Sequence, residues 1–132
     1  MEMKVSDVLD RFTILRMKKR FDKRVDPEYK EVEQEVFRNI LQMPAGAKTV
    51  DIVLTMLDLM EANSKVWENE SAIRKEYPDD PSNTAMPDTA LSEIGRRTII
   101  IRGHNKLRLQ AKAEVDKMFG QRSDVKVDHA SE

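Results

Sequence analysis

The chain has 132 residues, 23 basic and 24 acidic side chains, no cysteine and one tryptophan. That length suits one domain with its own core, and the missing cysteines exclude disulfide frameworks, thiol nucleophiles, iron–sulfur clusters and cysteine–zinc sites. A net charge of −1 removes the general electrostatic argument for nucleic acid or an anionic membrane, and 5% aromatics against 36% charged residues favours helices over sheets. Met1 to Ser6 show no basic-then-apolar leader, and no run nears the ~20 apolar residues of a bilayer span. The expectation is a cytoplasmic protein with no membrane contact.

Ser6 opens a first helical pattern as N-cap, with Val8, Leu9, Phe12, Leu15 and Phe21 at helical spacings. Lys18, Lys19, Arg20, Lys23 and Arg24 crowd its end, where cations suit the helix dipole. The predicted span is Ser6–Lys23. Asp26-Pro27-Glu28 is a second start signal, and Tyr29, Val32, Val36, Phe37, Ile40 and Leu41 give a second helix an apolar face over Pro27–Met43. Pro44-Ala45-Gly46 stops it.

A third helix is predicted from Thr49 to Tyr77, ended by Pro78. Its apolar face is read as Val50, Val53, Leu54, Leu57 and Met60. The proline-rich stretch 78–87 reads as a loop, and a fourth helix runs from Asp88 to Phe119 with Gly120 at its C-terminal cap. Residues 1–120 make one helical domain, and 121–132 read as a flexible polar tail. The predicted fold is all-α: a long antiparallel hairpin of the third and fourth helices, with two shorter N-terminal helices packed at its base. Those two would cover the hairpin near Val50–Met60 and Leu107–Met118. They would leave the tip, with Trp67, Ile73, Tyr77, Leu91, Ile94 and Ile99, to a second copy of the chain. Gly95 and Gly103, unfavourable inside a helix, suggest close helix approach or ligand access.

One stripe is unusual. Asn63, Trp67, Glu70 and Arg74 follow at spacings of 4, 3 and 4 on the third helix, and Asn105, Arg108 and Lys112 fall on the inner stripe of the fourth. Antiparallel packing sets Asn63 level with His104 and Asn105. Unpaired burial of such groups costs roughly 1–3 kcal/mol each, so they must pair, reach water or hold a ligand. One reading is a structural network around Glu70 and an arginine. The other is a small-molecule pocket. In it Asn63, Glu70, Arg74, His104 and Asn105 line the wall, Arg97, Arg102 and Arg108 grip phosphate or carboxylate, and Trp67 or Tyr77 stacks on a base or sugar.

No residue set reads as catalytic or metal-ligating, and no cofactor is expected. Glu31, Glu33 and Glu35 scatter around their helix rather than sharing a face. His104 has no triad partners in sequence, and His129 falls in the tail. The basic end of the first helix is diluted by Asp22 and Asp26 and has no aromatic platform, which argues against nucleic acid.

The stretch from Asp7 to Lys18, with Asp10, Thr13 and Lys18, resembles the opening motif of an uncharacterised family of small helical proteins of bacteria and their phages, often found beside polysaccharide-synthesis genes. Asn63, Trp67, Glu70, Ile73 and Arg74, then Asn105 and Arg108, are similar to that family's later motifs. Phe12 stands where the family prefers isoleucine, and the proline-bearing loop before the fourth helix also departs. The resemblance implies no known activity, but it selects the polar residues of the stripe.

Three functions follow as expectations. The first is a non-enzymatic binding protein for a small anionic ligand, such as a nucleotide, nucleotide-sugar or signalling nucleotide, held or sequestered. The second is a structural or adaptor homo-oligomer with no ligand. The third, an enzyme of polysaccharide or nucleotide metabolism, lacks a phosphate loop, metal-ligand spacing and a nucleophile–base pair.

Overall fold

The computed structural model describes residues 3–44, 46, 49–77 and 86–121. Four α-helices account for most of them: α1 Val5–Lys18, α2 Asp26–Leu41, α3 Thr49–Glu76 and α4 Asp88–Met118. Among the described residues there is no strand, and no helix is long and apolar enough to cross a membrane. Most of the predicted 78–87 loop and nearly all of the predicted tail lie outside the described residues, His129 among them.

The fourth helix ends as its sequence demands. Gly120 takes φ +63°, and the Gly120 and Gln121 N–H groups return to the carbonyls of Lys117 and Asp116. This pair of bonds closes the helix in a left-handed cap that suits glycine. Gln121 then reaches further: its Oε1 accepts the Val5 N–H at 3.0 Å. That bond supplies an acceptor at the start of α1, where Lys4, the residue before the helix, offers no side-chain cap. Ser6, read as the cap, is instead inside the first turn and buried.

The first helix is shorter than its cationic run suggested. It stops at Lys18, because the N–H groups of Phe21 and Asp22 both turn back onto the Lys18 carbonyl. The Asp22 carboxylate then accepts the Arg24 N–H at 3.0 Å and caps a 3-10 turn over Lys23–Val25. A carboxylate that bonds nearby backbone competes with continued helix. Asp26, read as a cap, is the first residue of α2.

α1 lies at the centre, against α2, α3 and α4, while α3 and α4 form the long hairpin. The core joins Val5, Val8 and Leu9 of α1, Val36 of α2, Leu59 of α3, and Ala111 and Val115 of α4. α2 packs chiefly on α1. There Tyr29 stacks on Phe12 at 5.5 Å, accepts from Arg16 at 3.0 Å and lies under the Lys19 ammonium at 4.2 Å.

The buried residues of α3 are Ile52, Thr55, Leu59, Ala62, Asn63 and Asn69, whereas Val50, Val53, Leu54 and Leu57 are about half exposed or more. The first half of α3 is apolar nearly all round, so its periodicity did not single out a face. The N-terminal helices do pack at the hairpin's base, where Val5, Val8 and Leu9 of α1 and Val36 of α2 meet Leu59, Ala111 and Val115, but they take one side of it, and Leu107 on the other side stays exposed. On α2 the outward pair is Phe37 and Leu41.

The glycines of α4 also depart from expectation. A Cβ built at Gly95 or Gly103 meets nothing within 4 Å, so neither marks a close approach. Both sit in exposed helix interior, where alanine is favoured by roughly 0.8–1 kcal/mol. Gly95→Ala and Gly103→Ala should each raise the melting temperature by a few degrees, as read by circular dichroism.

Candidate functional site

Near its middle the hairpin turns polar where α1 crosses it. Asp10 of α1 is buried, with its side chain 7% exposed. Arg108 of α4 grips it with both arms, Nε to Oδ1 at 2.9 Å and Nη2 to Oδ2 at 2.7 Å. This is the fork geometry that suits guanidinium to carboxylate. Asn63 of α3 donates from Nδ2 to the same Asp10 Oδ1 at 3.0 Å and to Thr13 Oγ1 at 2.9 Å. Thr13 donates in turn to the Asp10 carbonyl at 2.7 Å. One turn away, Lys112 pairs with Asp7 at 2.7 Å.

Burial pushes the Asp10 carboxyl up. The hydrogen bonds from Arg108 and Asn63, with the charges of Arg108 and Lys112, outweigh that and hold it below the ordinary carboxylate value. The bond to Asp10 raises the Arg108 guanidinium in turn. The network therefore ties α1 to both arms of the hairpin as an ionised unit. The carboxylate that meets Arg108 is Asp10, not Glu70 as the structural reading had it.

Beside this network a cleft of about 500 Å³ opens between the end of α1 and the hairpin. It gathers Asn63, Trp67, Glu70, Arg74, Asn105 and Arg108, and α1 adds Ile14, Met17 and Lys18. Trp67 is already stacked on Phe21, ring centroids 5.0 Å apart and planes inclined by 21°. Phe21 itself remains 70% exposed, since it lies beyond the end of α1 rather than on its apolar face. Among the described residues, the side chains of Lys18, Glu70, Arg74 and Asn105 have no hydrogen-bond or ion-pair partner.

The other predicted site residues lie elsewhere. Arg97 donates to Asn69 Oδ1 at 3.1 Å and to Glu93 Oε1 at 3.3 Å, and Glu93 also accepts the Tyr77 hydroxyl at 2.7 Å. That set fastens the outer part of the hairpin. Arg102 is exposed and lines no cleft with the others. His104 lines a separate groove between α3 and α4, and its buried Nδ1 has no hydrogen-bond partner.

Asp10, Thr13 and Lys18 were not reached by the stripe argument. Their one signal in the sequence was the resemblance of the stretch 7–18 to an opening motif. Among the described residues no group of three or more His, Asp or Glu is placed to hold a metal ion. No protein-family model, curated protein or solved structure matches the chain at a significant level.

Proposed function

We propose that the protein is a non-enzymatic binder of a small anionic ligand, a nucleotide or nucleotide-sugar, held in the cleft beside Trp67. The observation that carries this reading is the set of open polar side chains there. Lys18 and Arg74 supply cations, Asn105 supplies an amide, and none of them is committed to another group of the described chain. Arg108 is committed to Asp10, so it shapes the wall and adds field rather than gripping the ligand. Glu70 suits a hydroxyl or amino group of the ligand, and an aromatic ring suits a base or sugar face. The motif residues Asp10, Thr13, Asn63 and Arg108 meet in one network, which supports reading the chain as a relative of the small helical family named above.

Nucleoside mono- and diphosphates, nucleotide-sugars and inorganic phosphate should be compared by thermal shift. A ligand at 100 times its Kd stabilises by about 2.7 kcal/mol, which is a shift of several degrees. Arg74→Ala should melt as the parent does when alone, because the arginine is exposed and has no partner among the described residues, and should lose the shift. A parent that no anion stabilises defeats the proposal.

The second reading, a structural or adaptor homo-oligomer, is favoured by the outer part of the hairpin. α1 has 14 residues against 28 in α3, about 21 Å against 42 Å, so α1 cannot cover the whole arm. Leu91 and Ile99 are 52% and 68% exposed on α4. Sedimentation at micromolar concentration should show more than one chain per particle, and Ile99→Lys should return it to one.

A further inference from the structure

The side of the hairpin that α1 and α2 leave bare carries its own pattern. Two connected clefts of about 500 Å³ and 450 Å³ run along it, sharing Thr55 and Glu114. Only α3 and α4 line them. Leu54, Leu107 and Met118, with Ala62 and Ala111, form the apolar part. Around these apolar groups stand Asp51, Asp58, Glu61 and Glu114. None of these four carboxylates has a partner for its side chain among the described residues. The basic groups on this face are Lys117 and the imidazole of His104.

We propose that this groove docks a cationic amphipathic helix of another protein. Apolar floor and acidic rim together fit one kind of occupant. A helix lays an apolar stripe along Leu54, Leu107 and Met118, and its lysines or arginines meet the four open carboxylates. The groove follows the helix axes, as such a segment requires. A second copy presenting the same face would set carboxylates against carboxylates, which disfavours a symmetric pair here. The site is separate from the Trp67 cleft, so the two proposals stand or fall independently.

A labelled leucine–lysine peptide of about five helical turns is the probe, followed by fluorescence anisotropy, with a leucine–glutamate peptide of equal length beside it. The lysine peptide should bind and the glutamate peptide should not. Asp58→Lys with Glu61→Lys should weaken the lysine peptide by about tenfold or more and admit the glutamate peptide. Leu54→Ser with Leu107→Ser should also weaken binding about tenfold while the melting temperature holds, because both side chains are about half exposed. Glu31→Lys on α2, away from the groove, should change little.

Equal binding of both peptides, or equal loss with Glu31→Lys, would mean general stickiness and overturn the proposal. So would absence of binding, or indifference to the groove substitutions. Self-association of the free protein that the serine pair abolishes would make a second copy the occupant, and would overturn it too.

Discussion

Arg108→Ala should lower the melting temperature by roughly 6–15 °C at neutral pH, the reading of about 2–4 kcal/mol in a domain of this size. The reason is what it leaves behind. Asp10 is 7% exposed and stays charged with only Asn63 and the more distant Lys112 to answer it. Asp10→Ala should cost less, because the Arg108 side chain is 31% exposed and can turn to water. That asymmetry separates a buried carboxylate needing its partner from a cation held in reserve. The pH dependence follows from the direction of the Asp10 shift. Its folded value lies below the unfolded value of about 3.9, so its contribution is complete above that pH and is lost as the pH falls through the folded value. The parent should therefore melt at a steady temperature down to about pH 5 and fall steeply below pH 4, and Asp10→Asn should flatten that acid limb. An Arg108→Ala protein as stable as its parent would show that the Asp10–Arg108 bond contributes nothing to the fold.

The second large effect is expected at Leu59. Its side chain is fully buried at the centre of the core, between the apolar rows of α1 and α4. Leu59→Ala removes three heavy atoms from a site with neighbours on every side, at a cost of roughly 2–5 kcal/mol. Leu57→Ala is the sharp comparison, because Leu57 is 55% exposed and should cost no more than about 0.5 kcal/mol. Urea unfolding of the two variants reads out which face of α3 is inward. Equal losses would place the inward face elsewhere.

The sequence carried the helices further than it carried their orientation. Pro27 near the start of α2, Gly120 past the end of α4 and the spacing of Val8, Leu9 and Leu15 are local signals, and each element formed near its predicted place. The end of α1 was hidden because lysine and arginine are good helix formers, while the Asp22 bond that caps the following turn is a side-chain choice. The face of α3 was hidden because Val50, Val53, Leu54 and Leu57 are as apolar as Ile52, Met56 and Leu59. Only neighbours decide between two greasy sides. The polar stripe was legible on α3 and α4, and Asn63, Trp67, Glu70, Arg74, Asn105 and Arg108 do converge. What periodicity within a helix cannot supply is the group across the gap. Asp10 is 53 residues from Asn63 and 98 from Arg108, and Phe21 reaches Trp67 only after its helix has ended. For the same reason spacing alone points Arg97 to the cleft, whereas its partners, Asn69 and Glu93, draw it to the hairpin's outer part.

The bond from Gln121 to the start of α1 also bears on the order of assembly. It closes a loop of 116 residues, and the Arg108–Asp10 clasp closes one of 98. Closing long loops costs chain entropy before contacts repay it. The α3–α4 hairpin and the α1–α2 pair are each local, so they can form early and apart. On a ribosome, which delivers the N-terminus first, α1 must wait for most of the chain before its buried carboxylate meets a cation. The step expected to come last is the docking of the α1–α2 pair onto the α3–α4 hairpin, rather than growth from one end.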